Sequence, residues 1–98
     1  MTLPEFENST KQNQLPSGAS VYLQALWYDA KGDWKTAHNL VDSLEGSTAA
    51  AVHAYLHRVE GDNGNAGYWY KRADRKIPEI SLQEEWKRLV EELLKEST

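Results

Sequence analysis

The chain has 98 residues, of which 40% are hydrophobic and 27% are charged, and this composition fits one small globular domain with a single core. Its formal net charge is −4 and its basic residues are scattered, which argues against nucleic-acid binding because phosphate contacts need a basic surface. The chain has no cysteine, which excludes disulfides, thiolate metal sites and cysteine nucleophiles.

The sequence shows neither a recognisable signal peptide nor a membrane-spanning segment. The first residues lack the basic and apolar regions of a signal peptide. No apolar run approaches the roughly 20 residues that are needed to cross a bilayer. We therefore expect a soluble, cytoplasmic protein that does not associate with a membrane.

The first predicted helix follows a polar segment. Residues 1–16 are rich in Asn, Gln, Ser and Thr, and we interpret them as a flexible N-terminal arm. A helix then begins between Ser17 and Ser20, where serine side chains can cap it, and ends at Gly32. Residues 17–98 are predicted to form a single helical domain.

Four more helices follow in the same way. Asp33 caps the second, which continues to Gly46, and the third begins at Ser47 or Thr48 and stops at Gly61. The fourth helix follows a turn at residues 62–64. The fifth begins at residues 81–84, a capping box, and is strongly amphipathic. The pattern contains no credible strand and predicts an all-α fold of five helices.

The two helical pairs in the middle of the chain repeat one pattern. The Gly-Asp pair at residues 32–33 returns 29 residues later at residues 61–62. At the same offset Ala25 aligns with Ala54, and small residues generally meet small ones and large residues large ones. This correspondence indicates a duplicated helical hairpin.

The repeat resembles a known family. Residues 32–37, Gly-Asp-Trp-Lys-Thr-Ala, look like the turn and second helix of a tetratricopeptide repeat, and Gly61-Asp62 with Ala66, Tyr70 and Ala73 matches the same pattern. Residues 68–73 also resemble Sel-like repeats, and residues 26–75 resemble a family of small, uncharacterised bacterial proteins with a tetratricopeptide-like fold. The resemblance implies a right-handed α-α superhelix of two hairpins capped by the C-terminal helix. It implies no activity.

The histidines form one candidate site. His53 and His57 are four residues apart and share a face of the third helix, and Glu60 follows one turn later. His38, on the second helix, can project toward the same side. His38, His53, His57 and Glu60 together are suited to a divalent ion such as Zn²⁺, which would also permit metal-dependent hydrolysis. The alternative is a structural role, in which the histidines donate and accept hydrogen bonds at a seam between helices.

The aromatic residues form a second candidate site. Residues 68–70, Tyr-Trp-Tyr, cannot all face inward because consecutive helical residues point about 100° apart. We predict a binding surface for a protein or peptide partner, including a homodimer partner, formed by Tyr22, Tyr55, Arg58, Tyr68 and Trp69. In the alternative interpretation, the N-terminal arm or the last helix covers these aromatic residues.

Of these two hypotheses, the sequence favours the small interaction or adaptor module, and the metal site is the competing one. The chain contains no phosphate-binding loop, nucleophile motif or cofactor fingerprint. No residue is therefore assigned a catalytic role, and whether the protein is an enzyme stays open.

Overall fold

The computed structural model describes residues 1–96 and is entirely helical over that range, with no β-strand. Its six helices are α1 (Leu3–Lys11), α2 (Val21–Ala30), α3 (Trp34–Val41), α4 (Ser47–Val59), α5 (Asn63–Arg72) and α6 (Leu82–Glu96). The predicted all-α class is confirmed. The predicted count of five helices was wrong, because the segment before residue 17 contains a helix of its own.

The additional helix, α1, is stabilised by a cap at its N-terminus and by one buried side chain near its middle. Thr2 and Glu5 form a capping box, in which each side chain accepts a hydrogen bond from the other residue's backbone N–H. Phe6 is fully buried, and the centroid of its ring lies 5.8 Å from that of Trp86 on α6. A single large apolar side chain thus anchors an otherwise polar helix to the core.

The two hairpins are α2–α3 and α4–α5, and their turns have the same construction. Gly32 and Gly61 both adopt φ +82°, a left-handed conformation that suits glycine. The aspartate after each glycine caps the following helix, since Asp33 accepts from the Thr36 N–H and Asp62 accepts from the Asn65 N–H.

Two predicted helix ends differ from the structure. Helix α3 ends at Val41 rather than at Gly46, and a short turn leads from there to α4. Helix α5 begins at Asn63, so residues 63 and 64 lie in its first turn rather than in a separate turn. The reason is that Asp62 caps α5 through both the backbone and the side-chain amide of Asn65.

The last helix closes the core against both hairpins. Helix α6 packs on α2 and α4, and α1 packs on α6. The Trp86 indole N–H on α6 donates to the buried carbonyl of Leu26 on α2 at 2.9 Å. Ala25 and Ala54 are fully buried, and their small side chains allow close approach of neighbouring helices. No helix within residues 1–96 has the length and apolar character of a membrane span.

Candidate metal centre

Helices α3 and α4 bring the three histidines of the chain together. Helix α4 carries His53 and His57 one turn apart, and α3 carries His38 opposite them. The centroid of the His38 ring lies 5.3 Å from the centroid of the His53 ring and 5.4 Å from that of the His57 ring. One ring nitrogen of each histidine lies within 4.8 Å of those of the other two. This trihistidine cluster contains three of the four residues that the sequence predicted as metal ligands.

His53 has one ring nitrogen bonded and the other without a partner. The residue is 1% exposed, and its Nε2 lies 2.9 Å from the carbonyl oxygen of Val41. Because a carbonyl only accepts, Nε2 must carry the hydrogen in this bond. The buried Nδ1 has no hydrogen-bond partner among the residues that the structure describes.

Burial also fixes the charge of His53. It lowers the pKa of the imidazole below its usual value, against the opposing effect of the hydrogen bond to Val41, and the nearby His38 and His57 lower it further. This shift favours the neutral ring, in which Nδ1 has a lone pair that no described residue uses.

His57 is oriented in a similar way by a carboxylate. Its Nδ1 lies 2.7 Å from Oε1 of Glu60, three residues later on the chain. The carboxylate accepts, so Nδ1 carries the hydrogen, and Nε2 is the nitrogen left for a metal ion. Glu60 thus orients a histidine in this geometry. His57, Glu60 and Asp62 also lie close enough to form a second group of ligands, although Asp62 is engaged as the cap of α5.

Two indole rings form walls of the trihistidine cluster. Trp34 stacks on His38 with ring centroids 4.8 Å apart, and Trp69 stacks on His53 at 4.3 Å, both at 13° between planes. The spacing of Trp34 and His38, one helical turn, was a signal that sequence reasoning missed. The contact of Trp69 with His53 depends on how α5 packs on α4 and had no local signal.

The nearest acidic group to His38 is Asp42. An oxygen of Asp42 lies 3.8 Å from Nε2 of His38, and the aspartate side chain is largely exposed. His38 is itself half-buried. The trihistidine cluster is therefore open to solvent on the His38 side and closed around His53.

Chemically, the cluster offers imidazole nitrogens with outer hydrogen bonds already in place. In metal sites, a ligating histidine usually donates its other N–H to a carbonyl or a carboxylate, which fixes the tautomer and raises the basicity of the ligand. His53 does this with Val41, and His57 does it with Glu60. A cluster of three imidazoles, two of them oriented in this way, suits zinc and other ions that prefer imidazole.

The predicted partner-binding residues are divided between core and surface. Tyr55 is 4% exposed, and its hydroxyl donates to Asp29 at 3.1 Å. The Arg58 guanidinium donates to Glu85 at 2.8 Å and to the carbonyl of Ile80. Arg58 is thus already paired with a carboxylate of the chain itself, on α6.

The remaining three residues of the predicted surface differ in their exposure. Tyr22 is half-buried against the main core. Tyr68 is 53% exposed, beside the half-buried Trp69 on α5. The Arg72 guanidinium, which sequence reasoning missed, lies 5.7 Å from the Tyr68 ring centroid and 5.6 Å from that of Trp69.

No protein-family model matches the chain, and no curated protein or solved structure is significantly similar to it. Its function has to be inferred from the geometry of its own residues.

Proposed function

We propose that the protein binds a divalent transition-metal ion at His38, His53 and His57. Two observations carry the proposal: one ring nitrogen of each histidine lies within 4.8 Å of those of the other two, and the buried Nδ1 of His53 has no partner among the described residues. An unsatisfied buried polar atom costs about 1–3 kcal/mol, and a metal bond would remove that cost. Metal ligation gives this nitrogen the partner that the described residues lack.

Zinc is the ion that we expect. Bonds of about 2.0–2.1 Å from a tetrahedral Zn²⁺ place ligand nitrogens roughly 3.4 Å apart, so binding draws the three rings slightly inward from their present separation. Three protein nitrogens leave a fourth position for water, as in catalytic zinc sites. Hydrolysis by such a bound water stays a prediction from the sequence.

Zinc affinity tests this proposal directly. We expect the chain, purified without a polyhistidine tag, to bind one equivalent of Zn²⁺ in competition with a chromophoric chelator. His38→Ala and His57→Ala each remove a ligand and should weaken binding by more than about 100-fold. Glu60→Gln removes an orienting group and should weaken it by about 10–100-fold.

The matched control is Asp42→Asn, which alters an exposed neighbour of His38 without removing a ring nitrogen and should leave affinity within about threefold. Zinc bound equally well by His38→Ala, His57→Ala and the unaltered chain would assign it to a surface site and refute the proposal. Stoichiometric binding lost only in the ligand variants supports it.

Binding of a protein or peptide partner is the second candidate function, favoured by the exposed Tyr68 next to Arg72. The two hairpins are further proposed to stack as a tetratricopeptide-like right-handed superhelix, an arrangement that is used by many interaction modules. In support, the hairpin turns are alike and α3 packs on α4 between the hairpins. Fold analogy alone does not assign function, so the surface residues must be tested.

The test of the second candidate uses Tyr68→Ala, which removes the exposed ring and leaves the trihistidine cluster intact. We expect this variant to lose partners that the unaltered chain captures, or to shift a homodimer to monomer in sedimentation equilibrium. The interaction hypothesis fails if the unaltered chain is monomeric and both proteins capture the same partners.

A further inference from the structure

A small cavity lies where α1, α2, α4 and α6 meet. Its volume is about 240 Å³, below the roughly 300–1,000 Å³ of sites for drug-sized ligands. The Trp86 and Tyr55 rings and Ala30 supply its apolar wall. We refer to it as the junction cavity. Its size suits a molecule of amino-acid dimensions.

The junction cavity contains a carboxylate with no cationic partner. Asp29 is half-buried and accepts a hydrogen bond from the Tyr55 hydroxyl at 3.1 Å. Within residues 1–96, no lysine, arginine or histidine nitrogen lies within 4.0 Å of it. Burial raises the pKa of the Asp29 carboxyl, against the lowering effect of the Tyr55 bond. An ammonium group beside Asp29 would stabilise the ionised carboxylate.

Basic side chains also line the junction cavity. Lys11 of α1 and Lys87 of α6 both line it, and neither makes an ion pair in the described part of the chain. Glu7 contributes a second carboxylate. The walls thus carry two positive and two negative side chains, which complement a ligand that has one charge of each sign.

We infer that the junction cavity binds a free α-amino acid, with its ammonium group on Asp29, its carboxylate toward Lys11 and Lys87, and its side chain on Trp86. Binding energy comes from the two charged contacts together with burial of the apolar side chain. The site shares no residue with the trihistidine cluster. It can therefore be tested independently of the metal.

The experiment compares three related probes by NMR chemical-shift titration of the metal-free chain. L-leucine carries both charges, 4-methylpentanoate lacks its ammonium group, and 3-methylbutylamine lacks its carboxylate. We expect L-leucine to give saturable shifts of the junction-cavity residues with a Kd of about 1 mM or lower, and each truncated probe to bind at least tenfold more weakly. Equal binding of L-leucine and 4-methylpentanoate, or no saturable shifts with L-leucine, overturns the inference.

A variant locates the binding. Asp29→Asn keeps the size of the side chain and an oxygen for the Tyr55 hydroxyl, and it removes a buried charge, so the chain should stay folded. We expect at least a tenfold loss of L-leucine affinity. The control Asp42→Asn, which makes the same change outside the cavity, should bind as the unaltered chain does. An equal affinity of Asp29→Asn and the control refutes the site.

Discussion

A buried histidine couples the stability of this chain to pH. Nδ1 of His53 has no partner within the described residues and Nε2 already donates to Val41, so the folded state holds the ring neutral. Its pKa is lowered chiefly by burial. The unfolded chain has no such environment and takes up the proton near the ordinary pKa of about 6.5.

The sign of the resulting pH dependence follows from this difference. Since the folded pKa lies below the unfolded one, the stabilising contribution is complete above about pH 6.5 and is lost as the pH falls toward the folded pKa. In metal-free protein we expect the free energy of unfolding to fall between about pH 6.5 and 5, with a slope of up to about 1.4 kcal/mol per pH unit. Urea denaturation across this range measures it.

The matching variant is His53→Gln, which has no proton to take up and should show a shallower dependence in the same window. The cap residues Asp33 and Asp62 contribute at lower pH, because hydrogen bonds from Thr36 and Asn65 lower their pKa values. Their effect is therefore centred at and below the ordinary aspartate pKa of about 4, at lower pH than that of His53. Identical slopes for the two proteins between pH 6.5 and 5 would contradict the prediction.

Among the contacts between helices, a network of hydrogen bonds joins α6 to the second hairpin, α4–α5. Glu85 of α6 is 7% exposed and accepts from the Tyr70 hydroxyl through both carboxylate oxygens, at 2.8 and 2.6 Å. It also accepts from Arg58 of α4 at 2.8 Å. One buried carboxylate thus joins three helices.

We expect the two donors of this network to differ in their effect. Tyr70→Phe leaves Glu85 paired with Arg58 and should lower the free energy of unfolding by about 1.5–3 kcal/mol. Arg58→Ala leaves the buried charge without its cation and should cost about 3–5 kcal/mol. Urea denaturation of both variants measures the difference, and a smaller loss for Arg58→Ala than for Tyr70→Phe would show that the ion pair is not the main contact.

The helices that could be predicted are those whose ends are set by residues close by in the sequence. The ends at Gly32 and Gly61 and the cap at Asp33 are set by neighbouring residues, and sequence reasoning placed them correctly. It assigned Asp62 to a separate turn, although this residue caps α5. Helix α1 was missed although Thr2 and Glu5 form a capping box. Its polar composition concealed the signal, because only one side chain of α1 is buried.

The features of the candidate site also differ in whether they have a local sequence signal. The helical spacing of His53 and His57 put both on one face, and the duplicated hairpin suggested the side on which His38 lies. The hydrogen bond from His53 to Val41 and the burial of Tyr55 result from packing between helices. Such contacts join residues distant in the chain, so no periodicity in the sequence reveals them.

For the molecule as a whole, a substitution in α1 can test whether the first residues unfold cooperatively with the rest of the domain. Phe6 is fully buried and contacts Trp86, and the Trp27 indole of α2 donates to Ser9 of α1 at 3.2 Å. We expect Phe6→Ala to lower the free energy of unfolding by about 3–5 kcal/mol, because it leaves a cavity in the core. That is a large share of the roughly 5–15 kcal/mol typical of a whole domain.

Guanidinium chloride denaturation followed by far-UV circular dichroism measures this loss. The control is Glu7→Ala, on the same helix but outside the core, which should change stability by less than about 0.5 kcal/mol. Similar small effects of both substitutions would mean that the segment is a loose arm, as the composition of residues 1–16 first indicated.

Because Trp34 stacks on His38 and Trp69 stacks on His53, tryptophan fluorescence can report on metal binding at the trihistidine cluster. Of the four tryptophans in the chain, these two have indole faces 4.8 and 4.3 Å from an imidazole of the cluster. Trp27 and Trp86 donate their N–H groups elsewhere, to Ser9 and Leu26. Cu²⁺ held by the histidines would quench the first pair far more than the second. The chain therefore carries its own fluorescent reporter and its own internal reference, without any attached dye.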